Sequence, residues 1–123
     1  MTASEYVMQL DREHFARMQS GEKRVELRLY DEKRSRLAVG DCILFQRRDC
    51  PEEQLTARVL ALHRFDSFFA LFSTPLLPLC GFGAMSAQEA ADAMRRYYPA
   101  EQELKYGVVG IEIALLDANR EML

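Results

Sequence analysis

The sequence predicts an α+β fold, a mixed or mostly antiparallel curved sheet carrying two main helices. Three observations predict it. Alternating apolar segments of strand length recur along the 123 residues, the connections between them are short, and one strong helix-start signal lies in the second half. Pattern alone leaves open whether the sheet closes into a barrel or stays open. With 49% hydrophobic and 28% charged residues, the composition is that of an ordinary globular chain. A chain of this length forms one domain, residues 1–123, and buries roughly two-thirds of its unfolded surface.

Taken in order, Tyr6 to Leu10 reads as a first strand, and Asp11 caps a helix whose stripe is His14, Phe15 and Met18 and which Gly21 ends. From Lys23 to Tyr30 a second strand alternates: Val25, Leu27 and Leu29 on one face, Arg24, Glu26, Arg28 and Tyr30 on the other. Read plainly, this is a half-buried strand whose charged face is solvated, with Glu26 and Arg28 as a surface ion pair. Residues 31–36 form a charged turn, and Gly40-Asp41 leads into a strand from Cys42 to about Arg47. The segment Arg48 to Pro51 is a hairpin connection in which the proline bars continuation. Gln54 to Phe65 is a long strand bent by a bulge, with Leu55, Ala57, Val59, Ala61 and His63 on one parity. Asp66 caps a short apolar helix, and residues 74–85 make an apolar loop without a period, containing Pro75, Pro78, Gly81 and Gly83. This loop is either a lid over a cleft, a segment packed down by its own leucines, or a docking surface for a protein partner. Ser86-Ala87-Gln88-Glu89 is a capping box, and the helix it opens ends at Tyr98 before Pro99. The last strand, Tyr106 to about Leu115, has branched residues on both parities, which suits burial on both faces.

Composition narrows the function. The net charge of −3 and a pI near 5.4 disfavour a protein that grips a long duplex. The charge is uneven, however. Residues 22–36 hold six basic and four acidic side chains, whereas residues 99–123 hold two and five. A local cationic patch suits a small anionic ligand or a short single strand. No apolar run is long enough to span a membrane and the N-terminus lacks a signal pattern, so the expected location is cytoplasmic. Three cysteines without a C-x-x-C pair argue against a disulfide framework, and His14 and His63 have no ligand-spaced companions, so neither metal nor cofactor is expected.

The series G-x-K-x-x-E-x-R (Gly21, Lys23, Glu26, Arg28), then G-D-x-I-x-F (Gly40 to Phe45), then Y-G-V-V-x-I (Tyr106 to Ile111) resembles the ASCH domain family. The resemblance runs from Tyr6 to about Leu116. It implies a PUA-like curved β-barrel of about five to six strands with two main helices, and RNA, a nucleotide or a modified nucleoside as ligand. The implied contacts are Lys23, Arg24, Glu26 and Arg28; on the residues' own terms Tyr30, on the charged face beside Arg28, is the expected stacking ring, with Tyr98 beside Arg95 as a weaker second choice. Some family members resemble amidohydrolases that use a lysine, a threonine and a downstream glutamate. Here Lys23 matches, but Glu26 stands at the threonine position and the glutamate position falls near Gly83. A binding module is therefore expected, with a nucleoside amidohydrolase or ribonuclease using Lys23 in the chemistry as the alternative.

Two geometric expectations follow. Lys23 and Arg28 should be partly exposed in one concavity near residues 74–85. Lys23 and Glu26, three apart on a strand, should face opposite ways unless Lys23 belongs to the preceding turn.

Overall fold

The computed structural model describes residues 5–116. Its strands are β1 (Glu5–Leu10), β2 (Val25–Leu29), β3 (Cys42–Arg47), β4 (Cys50–Phe65) and β5 (Val108–Leu116). They form one sheet in the order β1-β3-β4-β5-β2, parallel between β1 and β3 and antiparallel elsewhere. The sheet curls into a half-barrel whose two edge strands, β1 and β2, approach across a seam. There the Arg28 guanidinium of β2 donates to the Gln9 carbonyl of β1 at 2.8 Å.

Two apolar cores lie on the two faces of this sheet. The inner one joins Met8, Leu10, Ile43, Phe45, Val59, Val109 and Ile111 to Phe15 and Met18 of helix α1 (Arg12–Gln19). The outer one packs Val25, Leu27, Leu29 and Val108 against α2 (Phe68–Phe72) and α3 (Ala87–Ala93). β5 thus buries both faces, as its two-parity pattern requires. β2 does so too, which its pattern does not suggest. Residues directly opposite in a ladder share a face, and Glu26 and Arg28 oppose Ile111 and Val109 of the inner core. The charged face of β2 therefore points into the barrel and its apolar face meets the helices. The solvated ion-pair face expected from alternation is not there.

Asp11 caps α1, its carboxylate accepting from the His14 N–H at 3.0 Å. The expected bulge in β4 falls at Leu60, where the register to β5 slips by one residue. It reverses the parity, so Leu62 rather than Ala61 continues the inner core and Phe65 joins the outer one. Pro51 does not stop the strand. β4 begins at Cys50, and Pro51 sits in a second irregularity, where Arg47 pairs with Cys50 but Gln46 with Gln54. That leaves its missing N–H outside the ladder. The cap of α2 is Ser67, not Asp66.

The capping box at Ser86 forms as expected, and α3 continues as a 3-10 turn, Met94–Arg96, before Pro99. A further helix, α4 (Ala100–Tyr106), follows that proline. Its buried Glu103 accepts from the first N–H of α2 at 2.6 Å and pairs with Arg95 at 2.5 Å, locking the helical layer together. The loop at residues 74–85 packs down on the outer core through Cys80 and Phe82, with a 3-10 turn at Leu77–Leu79. No described helix is long and apolar enough to cross a membrane.

Candidate functional site at the barrel seam

The turn between α1 and β2 is held by two backbone bonds, Lys23 N–H to Arg17 carbonyl and Arg24 N–H to Leu79 carbonyl. Lys23 consequently precedes the strand, and its side chain is free to swing to the same side as Glu26. The ammonium Nζ lies 3.0 Å from Glu26 Oε1, 3.1 Å from His14 Nδ1 and 3.2 Å from the Cys80 carbonyl. Three acceptors match the three donors of an ammonium. This arrangement makes His14 Nδ1 an acceptor and puts the imidazole proton on Nε2. Contrary to expectation, Lys23 is not exposed; 2% of its surface is accessible. Gly81 packs directly on its stem, at φ +86°, where an added Cβ would stand 3.0 Å from Lys23 Cδ.

Glu26, 5% exposed, takes Lys23 on one oxygen and Arg28 on the other, the latter at 2.8 Å through both Nε and Nη2. Burial alone would raise this carboxyl, but the Lys23 and Arg28 charges outweigh it and hold its pKa at about 2. His14 is pushed below the ordinary imidazole value, first by burial and then by the Lys23 charge, which keeps it neutral near pH 7. Across the seam, the Tyr97 hydroxyl donates to Asp11 Oδ2 at 2.5 Å. Burial and that bond push the Tyr97 phenol up to about 12. Burial likewise raises the Tyr98 hydroxyl, which stands beside Arg28.

These groups surround a recess of about 60 Å³, lined from β1 by Gln9 and Leu10, from α1 by His14 and from β2 by Glu26 and Arg28, and roofed by Phe82, Met94, Tyr97 and Tyr98. That volume admits several ordered waters or the edge of a small planar group. His14 stands edge-on to both Phe82 and Tyr97, so three of its walls are aromatic. Arg48, exposed, sits at the rim. Of the expected contacts, the recess unites Lys23, Glu26 and Arg28 beside the 74–85 loop. Arg24 stays outside, exposed, with its guanidinium donating to the Gly21 carbonyl. Tyr30 lines a different groove, covered by Arg64 at 3.7 Å from its ring centre, and Tyr98 takes the place beside Arg28.

Asp11, His14 and Tyr97 were readable only as a cap, a helical stripe and one of many aromatics. The useful signal was positional: the cap follows the edge strand immediately, so a side chain one turn into its helix overhangs the seam. No group of three or more His, Cys, Asp or Glu suited to a metal occurs among the described residues.

Comparison with known proteins agrees with this geometry at the level of the fold. No curated protein matches the chain. The crystal structure of the hypothetical protein PH0355 is similar at 32% identity and a TM-score of 0.81, covering 91% of this chain and 99% of that one. The solution structure of PF0455 from Pyrococcus furiosus is similar at 36% identity and a TM-score of 0.72, covering 92% and 98%. The ASCH domain of Lactobacillus crispatus shares the fold at 16% identity and a TM-score of 0.63, over 91% of this chain and 79% of its own. The motifs on β2, β3 and β5 lie within residues 8–117, the span matched by the ASCH domain model, and the chain belongs to the ASCH domain family, with its PUA-like fold.

Proposed function

We propose that the seam recess binds one nucleotide of a single-stranded RNA, the edge of its base entering among the aromatic walls and its phosphate at the Arg48 rim. The observation that carries this reading is the buried cluster of two cations and one carboxylate at an open, aromatic-walled mouth. Such a cluster is not the cheapest way to stabilise a core, since well-packed apolar residues commonly do as well or better. Its placement at a concave opening suits a ligand site. The charges of Lys23, Arg28 and Arg48 against Glu26 and Asp11 leave the lining at net +1 (three minus two), which favours an anion. Within the recess, the Nε2–H of His14 and the Tyr98 hydroxyl, itself hydrogen-bonded to the Arg28 guanidinium, are the polar groups with capacity toward a base edge.

The amidohydrolase or ribonuclease alternative requires Lys23 as base or nucleophile. With its three donors committed to Glu26, His14 and Cys80, Nζ turns neither a lone pair nor an N–H into the recess. Lys23 is better understood as the brace that holds Glu26 and Arg28. Binding is tested by fluorescence anisotropy with a labelled mononucleotide and a labelled oligouridylate at low salt. Arg48→Ala, at an exposed position, should weaken both at least severalfold without changing the unfolding midpoint. Equal affinity for variant and parent, or no binding by the parent, would refute the recess as an RNA site.

A further inference from the structure

A second groove, of about 480 Å³, opens at the end of β2 between Tyr30, Arg64, Phe65 and Asp66 on one side and Leu104, Lys105 and Tyr106 of α4 on the other. Its walls carry two cation–aromatic pairs, Arg64 over Tyr30 at 3.7 Å and Lys105 over Tyr106 at 5.1 Å. Among the described residues, neither Arg64 nor Lys105 makes an ion pair or a side-chain hydrogen bond, so the N–H edges of both stay available. Among the described residues most other cations are committed, including Arg12, Arg17, Lys23, Arg28, Arg34, Arg36, Arg47 and Arg95. Two uncommitted cations facing one groove beside a single acid, Asp66, make an anion-binding wall, and the two tyrosines and the 87%-exposed Leu104 make an apolar one.

The groove is also in register with the recess. Arg28 and Arg64 both pair with Val109, from either side of β5, so they share the inner face of the sheet two strand spacings apart, about 10 Å. Tyr30 follows Arg28 by two residues, about 7 Å along the chain and on the same parity.

We propose that this groove is a second nucleotide subsite, taking the neighbouring residue of the strand whose first base enters the seam recess. The phosphate lies between Arg64 and Lys105, and the base stacks on the ring of Tyr106 and covers Leu104. Guanidinium edges and ammonium groups supply the phosphate contacts, and the aromatic faces accept any base, so the subsite adds affinity rather than sequence preference. The inference rests on the reading of the chain as a single-strand RNA binder, but it uses none of the recess residues.

The test compares a labelled mononucleotide with a short labelled oligouridylate on the parent, Arg64→Ala, Lys105→Ala and the double variant. Both side chains are exposed, so the variants should fold as the parent does. The oligouridylate should bind the parent at least about fivefold more tightly than the mononucleotide, the lower end of what one stacked base contributes. Each variant should lose part of that gain, and the double variant all of it, while mononucleotide affinity stays unchanged. The salt slope of oligouridylate binding should fall by about 0.7 for each phosphate contact removed. A double variant that keeps the full gain overturns the groove and leaves the recess standing. A parent that binds no mononucleotide, yet binds oligouridylate through Arg64 and Lys105, overturns the recess and upholds the groove. Binding of neither probe overturns both.

Discussion

Glu26 shows how a single side chain ties stability to the site. Its carboxylate is buried between two cations, and removing the charge would leave Lys23 and Arg28 buried against each other. Glu26→Gln should therefore destabilise the protein by about 3–5 kcal/mol at neutral pH, as breaking buried ion clusters does. The pH dependence has a definite sign. The folded pKa of about 2 lies below the ordinary value of 4.5, so the stabilisation is fully present above 4.5 and is lost as pH falls toward 2. The shift corresponds to something on the order of 3 kcal/mol. His14 acts in the same direction at higher pH. Its folded value is depressed from 6.5, so its contribution is present above 6.5 and declines on acidification. Urea unfolding across this range should show the parent weakening in two stages, the lower of which is clearly reduced in Glu26→Gln, leaving the smaller share of carboxylates such as Asp11 that are also held below their ordinary value. A variant with the parent's full acid slope would show that Glu26 is not the group responsible.

At the scale of the element, the loop at residues 74–85 is a wall and not a loose lid. Gly81 illustrates why. Its positive φ strains any side chain by roughly 1–2 kcal/mol, and an added Cβ would stand 3.0–3.2 Å from the buried stem of Lys23, which must then shift by a few tenths of an ångström. Gly83, two residues on, also has a positive φ, but an added Cβ there meets nothing within 4 Å. Gly81→Ala should thus cost clearly more stability than Gly83→Ala in the same denaturation assay, and should weaken nucleotide binding as well by displacing Lys23. Equal losses would mean that the lysine gives way freely. The strands before and after this loop were largely legible in the sequence, because alternation and capping are local signals. What alternation could not convey is which side of β2 faces the barrel. Val25, Leu27 and Leu29 looked like the only buried face, whereas Glu26 and Arg28 point inward too, since an edge strand with helices behind it and a seam before it has no solvent face. α4 is not legible in the sequence for a similar reason: Ala100–Tyr106 is short, starts at Pro99 without a side-chain cap, and is fixed by the tertiary partners of Glu103.

Over the whole molecule, a net charge of −3 coexists with a cationic seam. That contrast sets the expected mode of RNA binding. A uniformly basic surface would gather many phosphates and bind duplexes broadly, with a steep dependence on salt. Here the uncommitted cations within reach of the recess and groove are few: Arg48 at the rim, Arg96 over the ring of Tyr97, Arg64 and Lys105 in the groove, and the partly committed Arg28. The acidic remainder repels any longer stretch of backbone. Two to four phosphate contacts follow, and at roughly −0.7 per contact for a single strand the slope of log K against log salt should lie between about −1.4 and −2.8. Lengthening the oligouridylate beyond the span of the two subsites should leave this slope unchanged, because no further cations await the added phosphates. Duplex RNA of the same length should bind more weakly, its bases being stacked away from the aromatic walls. Anisotropy titrations over a series of salt concentrations measure both slopes directly. A slope that steepens steadily with oligonucleotide length, or equal affinity for duplex and single strand, would point to a diffuse electrostatic surface in place of a site at the seam.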